Sequence, residues 1–349
     1  MALSKKQLLI KEMEQLRGSR VITYVTSNRH NINSEIESED IYHFRTHLDK
    51  ICKTCDNIDL FLFSYGGELE AAWELVSLIR EYNINFSVLV PYHARSAATM
   101  IAMGAKEIVM GKMASLGPID PTVRIQGGEL GGMQISVSDM DSYEDFLRDE
   151  YQVTEPKEKM EAFKMLGDNI SPLLIGKAYR NYLETKKDAE KLLKFHISDH
   201  KQVKKIVRLF IKDISTHNHS ISRPEAKESG LNVVYPENRL EKAMWNLYLE
   251  YLKTMKMDIP YVDVPPKNKP GLDVIFTCIE SRNLYTQKTG KIIFNKLGFP
   301  KGSYLVTVEE EEAVYTPGGE TIPLIPAGRL IASNGYIYDK TEETVWKTK

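Results

Sequence analysis

The chain has 349 residues and a formal net charge of −2, which is enough sequence for one large domain or two ordinary ones. That charge provides no global basic surface, so nucleic acid is not an expected partner. Hydrophobic residues make up 42% and charged residues 27%, a globular profile that excludes a disordered chain.

The N-terminal stretch MALSKKQLLIKEMEQLRGSR alternates charge with leucine and suits an amphipathic helix. It lacks the continuous apolar core of a signal peptide. No apolar run reaches the roughly 18 residues of a membrane span. The three cysteines, Cys52, Cys55 and Cys278, fit a reducing compartment, and a cytoplasmic location is expected. Cys52 and Cys55 have C-x-x-C spacing, but a structural zinc site needs a second matching pair, so they read as ordinary free thiols and no metal is expected.

Residues 21–27 (VITYVTS) read as a strand, and 34–51 as a helix with Ile41, Phe44, His47, Leu48 and Ile51 on one face. A buried strand over 58–64 leads through Gly66 and Gly67 into a helix over 68–82. A strand over 84–92, a helix over 96–105 and a short strand over 107–111 follow. This alternation implies parallel strands joined by crossover helices. Residues 123–126 and 133–138 flank Gly127, Gly128, Gly131 and Gly132, as in a hairpin with a glycine-rich tip.

Residues 142–212 read as mostly helical. Ser222 and Glu225 have capping-box spacing, so a short helix is expected to end near Gly230. Another amphipathic helix spans 239–255. The segment 259–271 is rich in proline and polar residues, and the remainder favours strands. The expected organisation is a first unit over 1–258 and a β-rich C-terminal extension or small domain over 259–349.

Three segments carry the chemistry. Phe63-Ser64-Tyr65-Gly66-Gly67 ends a strand in a diglycine, and His93-Ala94-Arg95-Ser96-Ala97-Ala98 places a serine at a helix start. Leu116-Gly117-Pro118-Ile119-Asp120-Pro121 turns after the next strand. Each has an ordinary reading: a common turn, a helix cap, a rigid loop. Together they suit acyl transfer, which needs a nucleophile, a base and two N–H donors for the developing oxyanion. Ser96 supplies a hydroxyl at a helix start, where the Ala97 amide is one of the open N-terminal donors. Gly67, with Gly66 second, can bring another bare amide close. His93, three residues before Ser96, is a candidate to line the same pocket.

The run from about residue 58 to 121 resembles the serine dehydrogenase proteinase family, distantly related to Clp proteases and signal peptide peptidase A, and the similarity extends over residues 20–235. The resemblance implies an α/β, ClpP/crotonase-like fold of repeated β-β-α units with added helices. It also implies peptidase activity without a cofactor, on a peptide or protein substrate, inside a homo-oligomer. Ser96 matches the family nucleophile. Asp120 is assigned as the acid and His217, in Thr216-His217-Asn218, as the base. The sequence has Asn218 where the family carries aspartate, which leaves His219 as an alternative base. Lys177 is a second alternative, on the Ser–Lys pattern of signal peptide peptidases, where a buried lysine of lowered pKa acts as base. Two further readings compete with the peptidase: a catalytically silent oligomeric scaffold or binding module, and a crotonase-type acyl-CoA enzyme, for which no clear CoA signature is present.

Overall fold

The computed structural model describes residues 3–348 apart from 31, 33, 53–55, 83, 126–132, 215–218, 261–270, 297–303, 309–310, 316–320, 327–329 and 334–335; for 271–272, 291–296 and most of 304–343 it describes the backbone alone. Cys55, the glycine-rich tip and most of the 259–271 segment lie outside the described residues.

The chain opens with α1 (Lys5–Arg17), β1 (Arg20–Thr26), α2 (Ser38–Ile51), β2 (Asn57–Phe63) and α3 (Leu69–Glu81). There follow β3 (Asn85–Val90), β4 (His93–Ala94), α4 (Ala97–Met103), β5 (Glu107–Met110) and β6 (Ser115–Leu116). A hairpin of β7 (Thr122–Arg124) and β8 (Gln134–Ser136) leads to α5 (Val137–Tyr151), α6 (Pro156–Asn169), α7 (Pro172–Lys194) and α8 (His200–Arg208). After a π-helical turn at Leu209–Asp213 come β9 (Ile221–Ser222), α9 (Arg223–Glu228), β10 (Val233–Val234) and α10 (Asn238–Met255). The elements described after it are strands: β11 (Gly271–Ser281), β12 (Leu284–Lys296), β13 (Tyr304–Val308), β14 (Glu311–Tyr315), β15 (Thr321–Pro326), β16 (Leu330–Ser333) and β17 (Tyr336–Thr348).

Strands β10, β5, β3, β2 and β1 pair in parallel, as the strand–helix alternation demands, and β1 pairs antiparallel with β11. The sheet continues without a break through β12, β17 and β16. Nearly every residue of β1 and β2 is buried, which suits parallel strands covered on both faces. On one face α2, α3, α4, α7 and α8 enclose Phe44, Leu75, Val76, Ile101, Leu192 and Ile206. On the other, α1 and α10 pack Ile10, Met13, Leu247 and Tyr251 against Phe61, Phe63 and Leu89. The class is therefore α/β with a β-rich C-terminal region.

One boundary departs from expectation. The helix read over 34–51 begins only at Ser38. Ile36 is instead extended, its side chain buried and its backbone bridged to Gly67. An apolar residue at helical spacing is here consumed by a strand-like contact. The capping box at Ser222 is formed, and the Glu225 carboxylate accepts from the Ser222 amide (2.8 Å) and hydroxyl (2.7 Å).

Candidate active site

Beyond the main sheet the chain builds a second, smaller layer. Ser64 N–H donates to the His93 carbonyl (3.1 Å) and Arg95 N–H to the Ser64 carbonyl (3.1 Å). β4 pairs with β6, and β6 with β9, so Leu116 faces Ile221. This layer lies past the carboxyl ends of β2 and β3, where open α/β sheets place their ligands.

Ser96 stands at the turn from β4 into α4. Its backbone is at φ 49° and ψ −116°, a positive-φ conformation that L-residues rarely adopt and that costs on the order of 1–3 kcal/mol. Its side chain makes no cap hydrogen bond, so the ordinary reading of a capping serine does not hold. Every residue of α4 is buried, and Ala97 and Ala98 have no exposed surface, which seats the strained turn on the core.

Gly66 (φ +120°) and Gly67 (φ +147°) both adopt backbone that favours glycine. A Cβ at Gly66 would stand 2.8 Å from Ser96 Cβ, so the two backbones approach as closely as the absence of a side chain allows. A Cβ at Gly67 would meet the Ile36 carbonyl oxygen at 2.3 Å. The Gly66 amide is already used: it donates to Ser64 Oγ (3.0 Å), which also accepts from Thr26 Oγ1 (2.8 Å). Gly66 O accepts from Ile36 N–H, and Glu68 N–H donates to Ile36 O, both at 2.9 Å. In a parallel bridge of this kind the Gly67 N–H points away from Ile36. Among the described residues neither the Gly67 nor the Ala97 N–H has an acceptor.

Ser96, Gly66, Gly67, Met100 and Asp120 line one cleft of about 690 Å³. Asp120 is 7% exposed. Ser27, Asn28, Arg29, Ile32, Ser34 and Glu35 form one wall, and Asn181, Glu184, Thr185 and Asp188 of α7 form another. Among the described residues the lining is acidic: Glu35, Glu68, Glu70, Asp120, Glu184 and Asp188 stand with Arg29. Asp188 is paired with Lys191 (2.7 Å).

The candidate bases fare differently. His217 lies outside the described residues. His219 is 45% exposed at its side chain, sits 3.3 Å from Glu225 Oε1 and does not line the cleft. Its neighbour Ser220 accepts from Arg95 Nη2 (2.7 Å). Lys177 is exposed on α7 and does not line the cleft, unlike the buried lysine of a Ser–Lys pair. His93 does not line the cleft but is buried behind it, against cleft-lining Tyr65 (ring centroids 5.3 Å apart) and stacked on Tyr92 (3.7 Å), its Nδ1 2.7 Å from Ser115 Oγ. Burial, aided by nearby Arg95, pushes its pKa down to about 4, so the ring is neutral.

Sequence reasoning missed Ile36 and the Thr26–Ser64 hydroxyl pair. The diglycine offered a signal for Ile36, because a bare backbone that cannot pack by side chain must be held by another backbone. Ser64 sits two residues before Gly66, as a side chain binding its own nearby amide requires.

The comparisons with known proteins bear on the fold and on the class of activity. The family model of ClpP-like SDH-type serine proteinases matches residues 1–128, which include the diglycine, Ser96 and Asp120. The match ends short of residue 235, to which the similarity had been expected to run. It supports a peptidase-type function. Two proteins of Methanocaldococcus jannaschii are also similar. Uncharacterized protein MJ1495 is 24% identical over 76% of this chain and 83% of its own length. Uncharacterized protein MJ0137 is 24% identical over 61% of this chain and 66% of its own length. Among solved structures, the 1510-N membrane-bound stomatin-specific protease is 19% identical with a TM-score of 0.37, over 64% of this chain and 85% of that one. ClpP1 from Listeria monocytogenes is 16% identical with a TM-score of 0.33, over 67% and 98%. Among the described residues no helix is long and apolar enough to cross a membrane.

Proposed function

We propose that the chain is a serine peptidase that cleaves peptide bonds through an acyl-enzyme on Ser96. The observation that carries this reading is the strained, uncapped Ser96 pressed against Gly66 inside the cleft. Ser96 Oγ attacks the scissile carbonyl while a base takes its proton. His217 is the preferred base, and Asp120 orients it. The Gly67 and Ala97 amides hold the oxyanion; the Gly66 amide is excluded from that role by its bond to Ser64. The mechanism calls for no metal or organic cofactor. The acidic lining favours a peptide or protein substrate with positively charged side chains near the scissile bond.

Residues 1–258 form the peptidase unit, and 259–349 are its β-rich extension. The working form is a cytoplasmic homo-oligomer. Helices α5 and α6 bury none of their residues and show Phe146, Met160, Phe163 and Met165 at about half exposure or more, a surface that a second copy would cover.

The test is labelling with a fluorophosphonate probe and mapping of the adduct. An adduct on Ser96 that disappears in His217→Ala and persists in His219→Ala is the expected result. Folded, unlabelled protein would sink the peptidase reading in favour of a silent scaffold.

A further inference from the structure

Gly67 has no side chain to fix its position, and its φ of +147° is not one a free chain holds by preference. It is held by Ile36, through the two hydrogen bonds that flank it. The question then becomes what holds Ile36. Its own side chain is fully buried, and both neighbouring ends of its segment are gripped by the C-terminal part of the chain.

Ser34 Oγ donates to the Phe276 carbonyl (2.6 Å), which also accepts from the Ser27 N–H (2.7 Å). Phe276 is the residue at which the β11–β12 register slips, between Ile275 and Thr277. Such bulges re-aim a backbone group next to a site. At the other end, Lys288 Nζ of β12 lies 2.6 Å from Glu37 Oε2 and 3.2 Å from Glu39 Oε2. The Lys288 side chain is only 10% exposed, and a cation that far out of water persists only when well paired. It also stands at the N-terminus of α2, where the helix dipole disfavours positive charge. Stabilising α2 therefore does not explain its position; gripping residue 37 does.

We infer that Lys288, together with the Phe276 bulge, positions Gly67 by clamping segment 34–37 against it. Lys288 is a positioning residue, not a catalytic one, and the C-terminal extension is what keeps the diglycine in register. The role of Gly67 as an oxyanion donor rests on the peptidase reading; the clamp itself does not.

The test compares Lys288→Met and Lys288→Arg with the wild type, by amide hydrogen exchange and by the rate of fluorophosphonate labelling. In Lys288→Met the Ile36 and Glu68 amides are expected to exchange about tenfold faster while β2 and β3 keep their protection, and labelling of Ser96 slows about tenfold. Lys288→Arg restores both. Ser34→Ala, which removes one hydroxyl, gives the same pattern more weakly and serves if Lys288→Met fails to fold. Unchanged exchange at Ile36 and Glu68 overturns the clamp, and so does a uniform rise across β2 and β3, which marks mere loss of stability. If the wild type is not labelled, the peptidase reading falls and exchange alone decides the clamp.

Discussion

The cleft-bearing region, residues 20–121, and the arm made by α5 and α6 are built on opposite terms. In the first, backbones touch backbones: Gly66 against Ser96, Gly67 against Ile36, a helix of small residues beneath. In the second, no residue is fully buried: Val137, Met140 and Leu166 pack partly against a small cluster, while Phe146, Met160, Phe163 and Met165 face outward. A region fixed by close backbone approach tolerates no added atom. A region that leaves its apolar groups outside tolerates substitution in the single chain and registers it only in assembly.

Four substitutions break or sharpen that contrast. Gly67→Ala is expected to have the largest effect. Its Cβ would overlap the Ile36 backbone at 2.3 Å in a positive-φ conformation, so a loss of about 3 kcal/mol in urea unfolding and no Ser96 labelling are expected. An unaltered unfolding midpoint would mean that Ile36 does not hold the diglycine.

His47→Gln comes next and is read through pH. The His47 ring is buried on α2 between Ser281 Oγ (3.2 Å) and Thr286 Oγ1 (3.1 Å), and burial pushes its pKa down to about 3. The unfolded chain binds a proton near pH 6.5 and the folded chain does not, so this contribution is intact above 6.5 and declines as pH falls towards 3. Between pH 6.5 and 5 the wild type should lose about 2 kcal/mol relative to His47→Gln. A pH-independent difference between the two would contradict a neutral buried ring.

Ser96→Gly works in the reverse direction. Glycine accepts φ 49° without strain, so the variant should be more stable by about 1 kcal/mol while taking up no probe. A less stable variant would show that the serine contributes packing rather than strain. The smallest effect on the single chain belongs to Phe163→Glu on α6, which is 54% exposed. Its unfolding free energy should stay within about 0.5 kcal/mol of wild type, while light scattering shows a smaller assembly. The same mass as wild type would remove α6 from the proposed interface.

Much of this was readable from residue order. The alternating apolar runs and helical faces gave parallel strands and crossover helices because each element is buried on the face its period marks. Ser96, the diglycine and Asp120 could be brought to one cleft because all three sit at the carboxyl ends of neighbouring strands. What could not be read depends on partners far away in the chain. Ile36 has helical spacing, and only the diglycine opposite turns it into a bridge. His93 has the right chain distance to Ser96 but occupies a two-residue strand, whose alternation sends it to the aromatic side. Nothing near Lys288 in the sequence announces that it meets Glu37, because that pair is made by a sheet joining the two ends of the chain.

The opposite end of the same sheet carries a small electrostatic knot. Arg17, the last residue of α1, donates to Asp59 Oδ2 (3.0 Å) and Glu107 Oε1 (2.7 Å), and Ser19 Oγ donates to the same Asp59 oxygen (2.6 Å). Asp59 is 2% exposed. A chain cut at Gly18 would leave that carboxylate in the interior with only a hydroxyl for company, a change that costs several kcal/mol. Proteolytic trimming of one exposed turn would then be felt in β2 and β5 at once, so the first helix acts as a built-in seal on the lifetime of the whole molecule.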